Sequence, residues 1–219
     1  MLLALYGHPF SSYTQKVLIA LYENDTPFEL RVIGPDTPQH FNDLLQRWPL
    51  RKFPLLVDGE RNVVESSIII EHLQIAHPGP VRLLPDDPAH ALDVRFRDRF
   101  FDLHVMNWVQ HAVNAALTGD QVKRQESSAL SKQKLELAYA WLEGDLARRN
   151  WAAGTDFTLA DCAAAPALFY ADWIHQIPDD FPLVRAYRAR LLARPSVIRV
   201  VEEARPFRPL FPLGAPAQD

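Results

Sequence analysis

The chain has 219 residues, 48% of them apolar and 23% charged, with a net charge of -4 and a pI near 6.1. That length supports one or two domains with real cores, and the acidic balance gives no basis for a nucleic-acid surface built on a basic patch. A single cysteine, Cys162, rules out an internal disulfide and a cysteine-built metal site, so no metal is expected.

The start, MLLALYGHPF, has no basic leader, and the longest apolar run, Cys162 to Ala171, contains Pro166 and is about half a membrane span. The expectation is a cytoplasmic protein that neither spans a membrane nor binds nucleic acid. Leu2 to Tyr6 is a continuous apolar run, as in a buried central strand, and Gly7 and Pro9 end it. Thr14 to Tyr22 places Val17, Leu18, Leu21 and Tyr22 on one helical face. Residues 27–33 alternate in strand period. Phe41, Leu44, Leu45 and Trp48 have helical spacing, with Pro49 as a stop. Two strands flank Asp58-Gly59, a strong hairpin signal, and a helix covers 66–76. The order is βαβαββα.

Pro78, Pro80, Pro85 and Pro88, with Gly79, mark a linker over 79–91 between a first domain at 1–78 and a second at 92–219. The second domain reads as all helical. Leu92 to Leu117 is one long helix stopped by Gly119, and Leu130 to Leu146 is another. Thr158 and Asp161 form a capping-box pattern at the start of residues 157–173, a folding role rather than a catalytic one. Leu183 to Ala193 and Val197 to Ala204 follow. The proline-rich tail, 205–216, keeps Phe207, Leu210, Phe211 and Leu213, which a solvated tail does not need.

Four segments, in this order, resemble the cytosolic glutathione S-transferases, including bacterial members: LYGHPFSSYTQKVLIALYE, RKFPLLVDG, VVESSIIIEHL and FTLADCAAAPAL. The resemblance covers nearly the whole chain. It implies a thioredoxin-like α/β domain followed by an all-α domain, a homodimer, and an enzyme that uses glutathione as co-substrate. The expected reaction is conjugation of the glutathione thiolate to a small hydrophobic electrophile. A glutathione-dependent peroxidase or isomerase is the alternative on the same site, and a non-catalytic ligand- or protein-binding module is the alternative of another class. Thiol–disulfide exchange is disfavoured, because family members of that kind use a cysteine where this chain has Ser11-Ser12-Tyr13-Thr14.

Ser11 and Ser12 stand at the entrance to the first helix, where free N–H groups and a partial positive charge stabilise an anion. A hydroxyl donating to a thiolate adds about 1.5–3 kcal/mol. Lowering a thiol by two units from about 8.5 needs about 2.7 kcal/mol, so one hydroxyl and a helix end suffice. On local sequence alone, capping is the simpler reading of both serines. The resemblance reverses this and favours Ser11, five residues before Lys16 in the zeta-like and tau-like pattern. Ser12 is the runner-up, and Tyr6 is assigned to the strand.

The resemblance further implies a cis Phe53-Pro54 peptide, with the Phe53 backbone pairing to glutathione as an added strand. Glu65 and Ser66 are expected to hold the γ-glutamyl ammonium and carboxylate. Gln39, His40 and Lys52 are candidates for the glycine carboxylate. Phe10, Tyr13, Met106, Asn107, Trp108 and His111 are candidates for the electrophile pocket. His111 is weighed more heavily as a structural histidine, and Cys162 as a core residue.

Overall fold

A computed structural model describes residues 2–217. The first domain is a four-stranded sheet in the order β2-β1-β3-β4, with β1 at Leu3–Gly7, β2 at Phe28–Val32, β3 at Leu55–Asp58 and β4 at Arg61–Val64. β1 runs parallel to β2 and antiparallel to β3, which forms a hairpin with β4. β1 is buried along its whole length because both sheet faces are covered. Alternation splits its side chains between them. Leu3 and Leu5 join α1 (Ser12–Glu23), α3 (Ser66–Ala76) and the second domain in one core, while Ala4 and Tyr6 meet Leu44 of α2 (Pro38–Arg47) on the other side.

The second domain is helical: α4 (Pro88–Phe100), a π-helical stretch (Phe101–Met106), α5 (Asn107–Leu117), α6 (Gln121–Asp145), α7 (Leu159–Ile174), α8 (Pro182–Leu192) and α9 (Pro195–Ala204). Two helices start at least a full turn earlier than the sequence reading has them. α4 begins inside the 79–91 segment, because Asp87 accepts from the His90 N–H at 2.8 Å and Pro88 occupies the first helical position. α6 begins at Gln121, capped by Asp120, which accepts from Val122 N–H at 3.0 Å and Lys123 N–H at 3.1 Å. The expected single helix over 92–117 is interrupted by its π-helical stretch, which shifts the angular register of everything after it.

α7 is the axis of the second domain, buried on all sides apart from Asp172 and Trp173 near its C-terminal end. Its start is fixed by a saturated carboxylate. Asp161 accepts from the backbone N–H groups of Ala152 and Thr158, both at 2.8 Å, from the Thr158 hydroxyl at 3.0 Å and from the Tyr187 hydroxyl at 2.6 Å. Cys162, one turn into α7, is fully buried, and burial pushes its thiol well above the usual range. It is a core residue of the second domain. The tail returns to the body: Phe211 is buried against Trp173 and Tyr170, with ring centres 5.1 and 6.3 Å away, and Phe207 meets His8 at 4.6 Å. Among the described residues, no helix is long and apolar enough to cross a membrane.

Candidate active site

The loop from β1 into α1 is held from both sides. Gly7 lies so close to Thr14 that a β-carbon there would come within 2.6 Å of its side chain. Gln15 donates to the Pro9 carbonyl at 2.9 Å and to the Tyr170 hydroxyl at 3.0 Å, and that hydroxyl donates to the Phe10 carbonyl at 2.9 Å. Ser11 is the N-cap of α1, with extended backbone at φ -86° and ψ 124°. Its hydroxyl oxygen accepts from the Thr14 N–H at a long 3.4 Å. Acting as an acceptor there leaves its own proton available to another group. Ser12 is the first helical residue and is buried.

Below this turn lies an unusual buried cation. Lys16 Nζ is 2.5 Å from Asp98 Oδ1 and 2.9 Å from Asp102 Oδ2, and it donates to the Ser67 hydroxyl at 2.9 Å. Ser67 donates in turn to Asp98 at 2.7 Å. The contact with Asp98 Oδ1 is an ion pair rather than an aligned hydrogen bond. This network joins α1, α3 and α4 at the floor of the cleft. Burial raises the Asp102 carboxyl above its usual range, with Lys16 opposing.

Two cavities meet at α1. One, of about 170 Å³, is polar and lined by Lys52, Phe53, Pro54, Glu65 and Ser66 from the first domain and by Arg99, Asp102 and Asn107 from the second. The other, of about 260 Å³, is mainly apolar and lined by Phe10, Ser11, Ser12, Met106, Val113 and Tyr170, with Leu210, Phe211 and Pro212 of the tail. Tyr13 and Phe53 belong to both walls, so the two cavities adjoin. Burial, with the Asp102 carboxylate second, pushes the Tyr13 hydroxyl up to about 12.

The Phe53-Pro54 peptide is cis. Glu65 precedes α3 and holds φ 67° and ψ 118°. A non-glycine residue in that region costs about 1–3 kcal/mol and persists where surrounding structure fixes it. Ser66 is the first helical residue and is buried, with the free N–H groups of the first turn beside it.

Gln39 and His40 sit in the first turn of α2, and neither lines the two cavities. Gln39 is exposed, and His40 Nδ1 donates to the Val32 carbonyl at 2.9 Å beside Tyr6. Trp108 and His111 also lie elsewhere. From Met106, the positions facing the cavity are Val109, Gln110, Val113 and Leu117, which is helical period. Trp108 and His111 fall on the other face of α5, where His111 Nδ1 is 2.7 Å from the Ser127 hydroxyl and Lys134 lies 5.7 Å from the Trp108 ring. Tyr6 is turned to the α2 side, fully buried, with its hydroxyl bonded to Asp43 and Arg31. Burial, with the Asp43 bond second, raises it above its usual range. Trp48, Arg99, Asp102 and Tyr170 were missed in the sequence. No local motif marks them, because the fold brings them from three distant segments.

These features define a two-domain protein with a thioredoxin-like half, a helical half and a cleft between a helix N-terminus and the second domain. Residues 5–81 match the family model for the glutathione S-transferase N-terminal domain, and 102–195 match that for the C-terminal domain. The glutathione S-transferase GstB of Escherichia coli K12 is 26% identical over 212 residues, covering 91% of this chain and 98% of that protein. FtsZ-localized protein A of Caulobacter vibrioides is 29% identical over 206 residues, covering 87% of each. A crystal structure of a glutathione S-transferase from Methylobacterium radiotolerans in complex with glutathione sulfonate is 31% identical, covers 92% of this chain and 95% of its own, and superposes with a TM-score of 0.76. The chain belongs to the glutathione S-transferase family.

Proposed function

We propose that this glutathione transferase holds glutathione in the polar cavity and conjugates its thiolate, activated by Ser11, to an apolar electrophile in the adjoining one. The observation that carries this reading is the shared wall. Ser11 caps α1 on the apolar cavity, and Tyr13 and Phe53 connect that cavity to the one lined by Glu65 and Ser66. In this arrangement the Phe53 backbone pairs with the peptide, Ser66 and the first turn of α3 take the γ-glutamyl carboxylate, and Glu65 takes its ammonium. Lys52 serves the glycine carboxylate, with Arg99 facing the same cavity. The sulfur then sits at the α1 entrance, where the helix end and the Ser11 proton favour the thiolate. The aromatic and aliphatic lining from Phe10, Met106, Tyr170 and Phe211 suits a flat apolar electrophile.

The protein is proposed to act in the cytoplasm as a homodimer. Ile68 and Ile75 share a helical face with Glu71 of α3, Leu92 shares one with Arg95 of α4, all three apolar groups are exposed, and Arg95 pairs with Glu71 at 2.7 Å on that side. A second copy covering that side would bury these apolar groups.

Retention on immobilised glutathione, followed by turnover of an activated aryl halide by wild type, Ser11→Ala and Ser12→Ala, tests the assignment. The expected result is retention by all three and a loss of turnover confined to Ser11→Ala. Loss in Ser12→Ala alone would transfer the role to Ser12. No retention of wild type would remove the transferase reading and favour a ligand- or protein-binding module.

A further inference from the structure

Away from the cleft, three metal-ligating side chains converge on one point. Asp58 ends β3, His72 lies in α3, and His77 follows the last residue of α3. Asp58 Oδ2 is 2.9 Å from His72 Nε2 and 2.8 Å from His77 Nε2. One nitrogen or oxygen of each lies within 4.8 Å of the other two. None of the three lines either cavity of the active site. Their side chains are 23%, 11% and 32% exposed, so the group is ordered by its surroundings yet open to solvent.

The convergence is not what helix geometry supplies by default. Five residues along an unbroken α-helix are rotated by about 140°, which would point the two imidazoles apart. They meet because α3 ends at Ala76 and His77 leaves the helix at φ -135° and ψ 58°. One histidine would be enough to tie the hairpin to the helix. Here two imidazole nitrogens share a single carboxylate oxygen. Their hydrogen bonds hold the Asp58 carboxyl below the usual carboxylate range.

We propose that Asp58, His72 and His77 bind one divalent first-row transition ion, zinc being the best match, which clips the β3–β4 hairpin to the C-terminal end of α3. Two imidazoles and one carboxylate suit zinc, whereas magnesium and calcium take oxygen ligands. Ligand distances of about 2.0–2.2 Å in a tetrahedron place neighbouring ligand atoms about 3.3 Å apart. The 2.8 and 2.9 Å separations of Asp58 from the two imidazoles fall about half an ångström short of that spacing, and the ligand atoms lie within 4.8 Å of one another, so side-chain rotation has to widen the first two and set the nitrogen pair at the same spacing to admit the ion. On binding, each Nε2 loses the proton it now donates to Asp58 and gives the freed lone pair to the metal; a neutral ring takes up one proton on Nδ1 in exchange, and an imidazolium, already protonated there, releases one proton to solvent. The fourth position faces solvent and takes water. Acid therefore competes with the metal.

The test uses full-length protein without a histidine tag, stripped with a chelator and titrated with zinc chloride against a chromophoric zinc indicator. One equivalent per chain should bind, and the melting temperature should rise by roughly 5–10 °C at free zinc one hundred times the dissociation constant. His72→Gln and His77→Gln should each weaken binding by at least about tenfold, and the double variant should lose both the equivalent and the thermal shift. His104→Gln, which changes a histidine outside the group, should retain both. Zinc binding that persists in the double variant, or none in wild type at micromolar free zinc, would overturn the proposal. Cobalt loading of the wild type gives a reading that needs no variant: intense visible bands of a tetrahedral nitrogen-ligated ion are expected, and the pale spectrum of the aquated ion would also overturn it.

Discussion

At the start of α7 the Thr158 backbone N–H and hydroxyl both donate to Asp161 Oδ2, at 2.8 and 3.0 Å, whereas at the start of α1 the Ser11 hydroxyl accepts one bond of 3.4 Å from Thr14. Both are hydroxyl residues preceding a helix. The first is buried, its carbonyl accepts from the Asp161 and Cys162 N–H groups, and Ala152 and Tyr187 complete the donors to Asp161. The second is half-buried on a cavity wall with a proton left over. A saturated cap spends its hydrogen bonds on stability. An unsaturated one at the same kind of helix end is available for chemistry.

Asp161→Ala breaks the saturated side of this pair and should have the largest effect. It removes the partner of four buried donors, and an unsatisfied buried donor costs about 1–3 kcal/mol. With partial relaxation, a loss of about 3–5 kcal/mol is expected in denaturant unfolding. A loss below about 1 kcal/mol would mean that the α7 cap does not organise the domain.

Ser11→Ala addresses the other side. The loss of one charge-assisted hydrogen bond of about 1.5–3 kcal/mol lowers turnover about 10- to 150-fold and raises the apparent pKa of bound thiol in the pH–rate profile. Because its capping bond is long, the unfolding free energy should fall by no more than about 1 kcal/mol. If turnover holds while stability drops by more, Ser11 is a cap of the Thr158 kind and the contrast between the two helices fails.

The sequence made the first domain readable because its signals are local. The apolar run of β1, the alternation of 27–33 and the Asp58-Gly59 turn each act over a few residues. Phe53, Glu65 and Ser66 stood out in one short segment, Ser11 only because the family resemblance outweighed plain capping, and the fold puts all four on cavity walls. The second domain was less legible where its pattern was weak. The first turns of α6, Gln121 to Glu126, are exposed all round and carry no apolar stripe, so the helix start lay hidden until Leu130. Asp87-Pro88 did carry a start signal, but it sat among prolines that read as linker. Trp108 and His111 were candidates for the cavity, with His111 weighed more heavily as a structural histidine. On an α-helix adjacent residues diverge by about 100°, and the cavity follows the 106, 109, 110, 113 and 117 stripe instead.

Ser66→Ala sharpens the comparison at a third helix start. Ser66 is buried beside the strained Glu65 and lines the polar cavity. If it binds the γ-glutamyl carboxylate, KM for glutathione should rise about tenfold or more with kcat nearly unchanged, because that contact is the same in ground and transition states. A fall in kcat at constant KM would place Ser66 with the thiol rather than with the carboxylate.

The smallest effect concerns two tyrosines, Tyr187 of α8, which bonds the α7 cap, and Tyr13 of α1. Tyr187 bonds Asp161 at 2.6 Å in full burial, which pushes its hydroxyl well above the usual range, so it stays protonated in the folded protein. Tyr13, in the first turn of α1, is pushed only to about 12 and faces both cavities. Between its ordinary value of 10.0 and about 12, the unfolded chain has lost the Tyr13 proton while the folded chain keeps it. The unfolded state therefore binds fewer protons, and stability falls as pH rises through that window. Tyr13→Phe deletes this contribution without deleting the ring, so the variant's melting temperature should decline less steeply than wild type above pH 10 and match it more closely below. Because Asp102 adds to the upward push, Asp102→Asn should bring the Tyr13 titration back towards 10, seen as earlier tyrosinate absorbance. An unchanged alkaline slope in Tyr13→Phe would show that Tyr13 titrates like a solvated phenol, and that the α1 entrance is wetter than its cavity walls indicate.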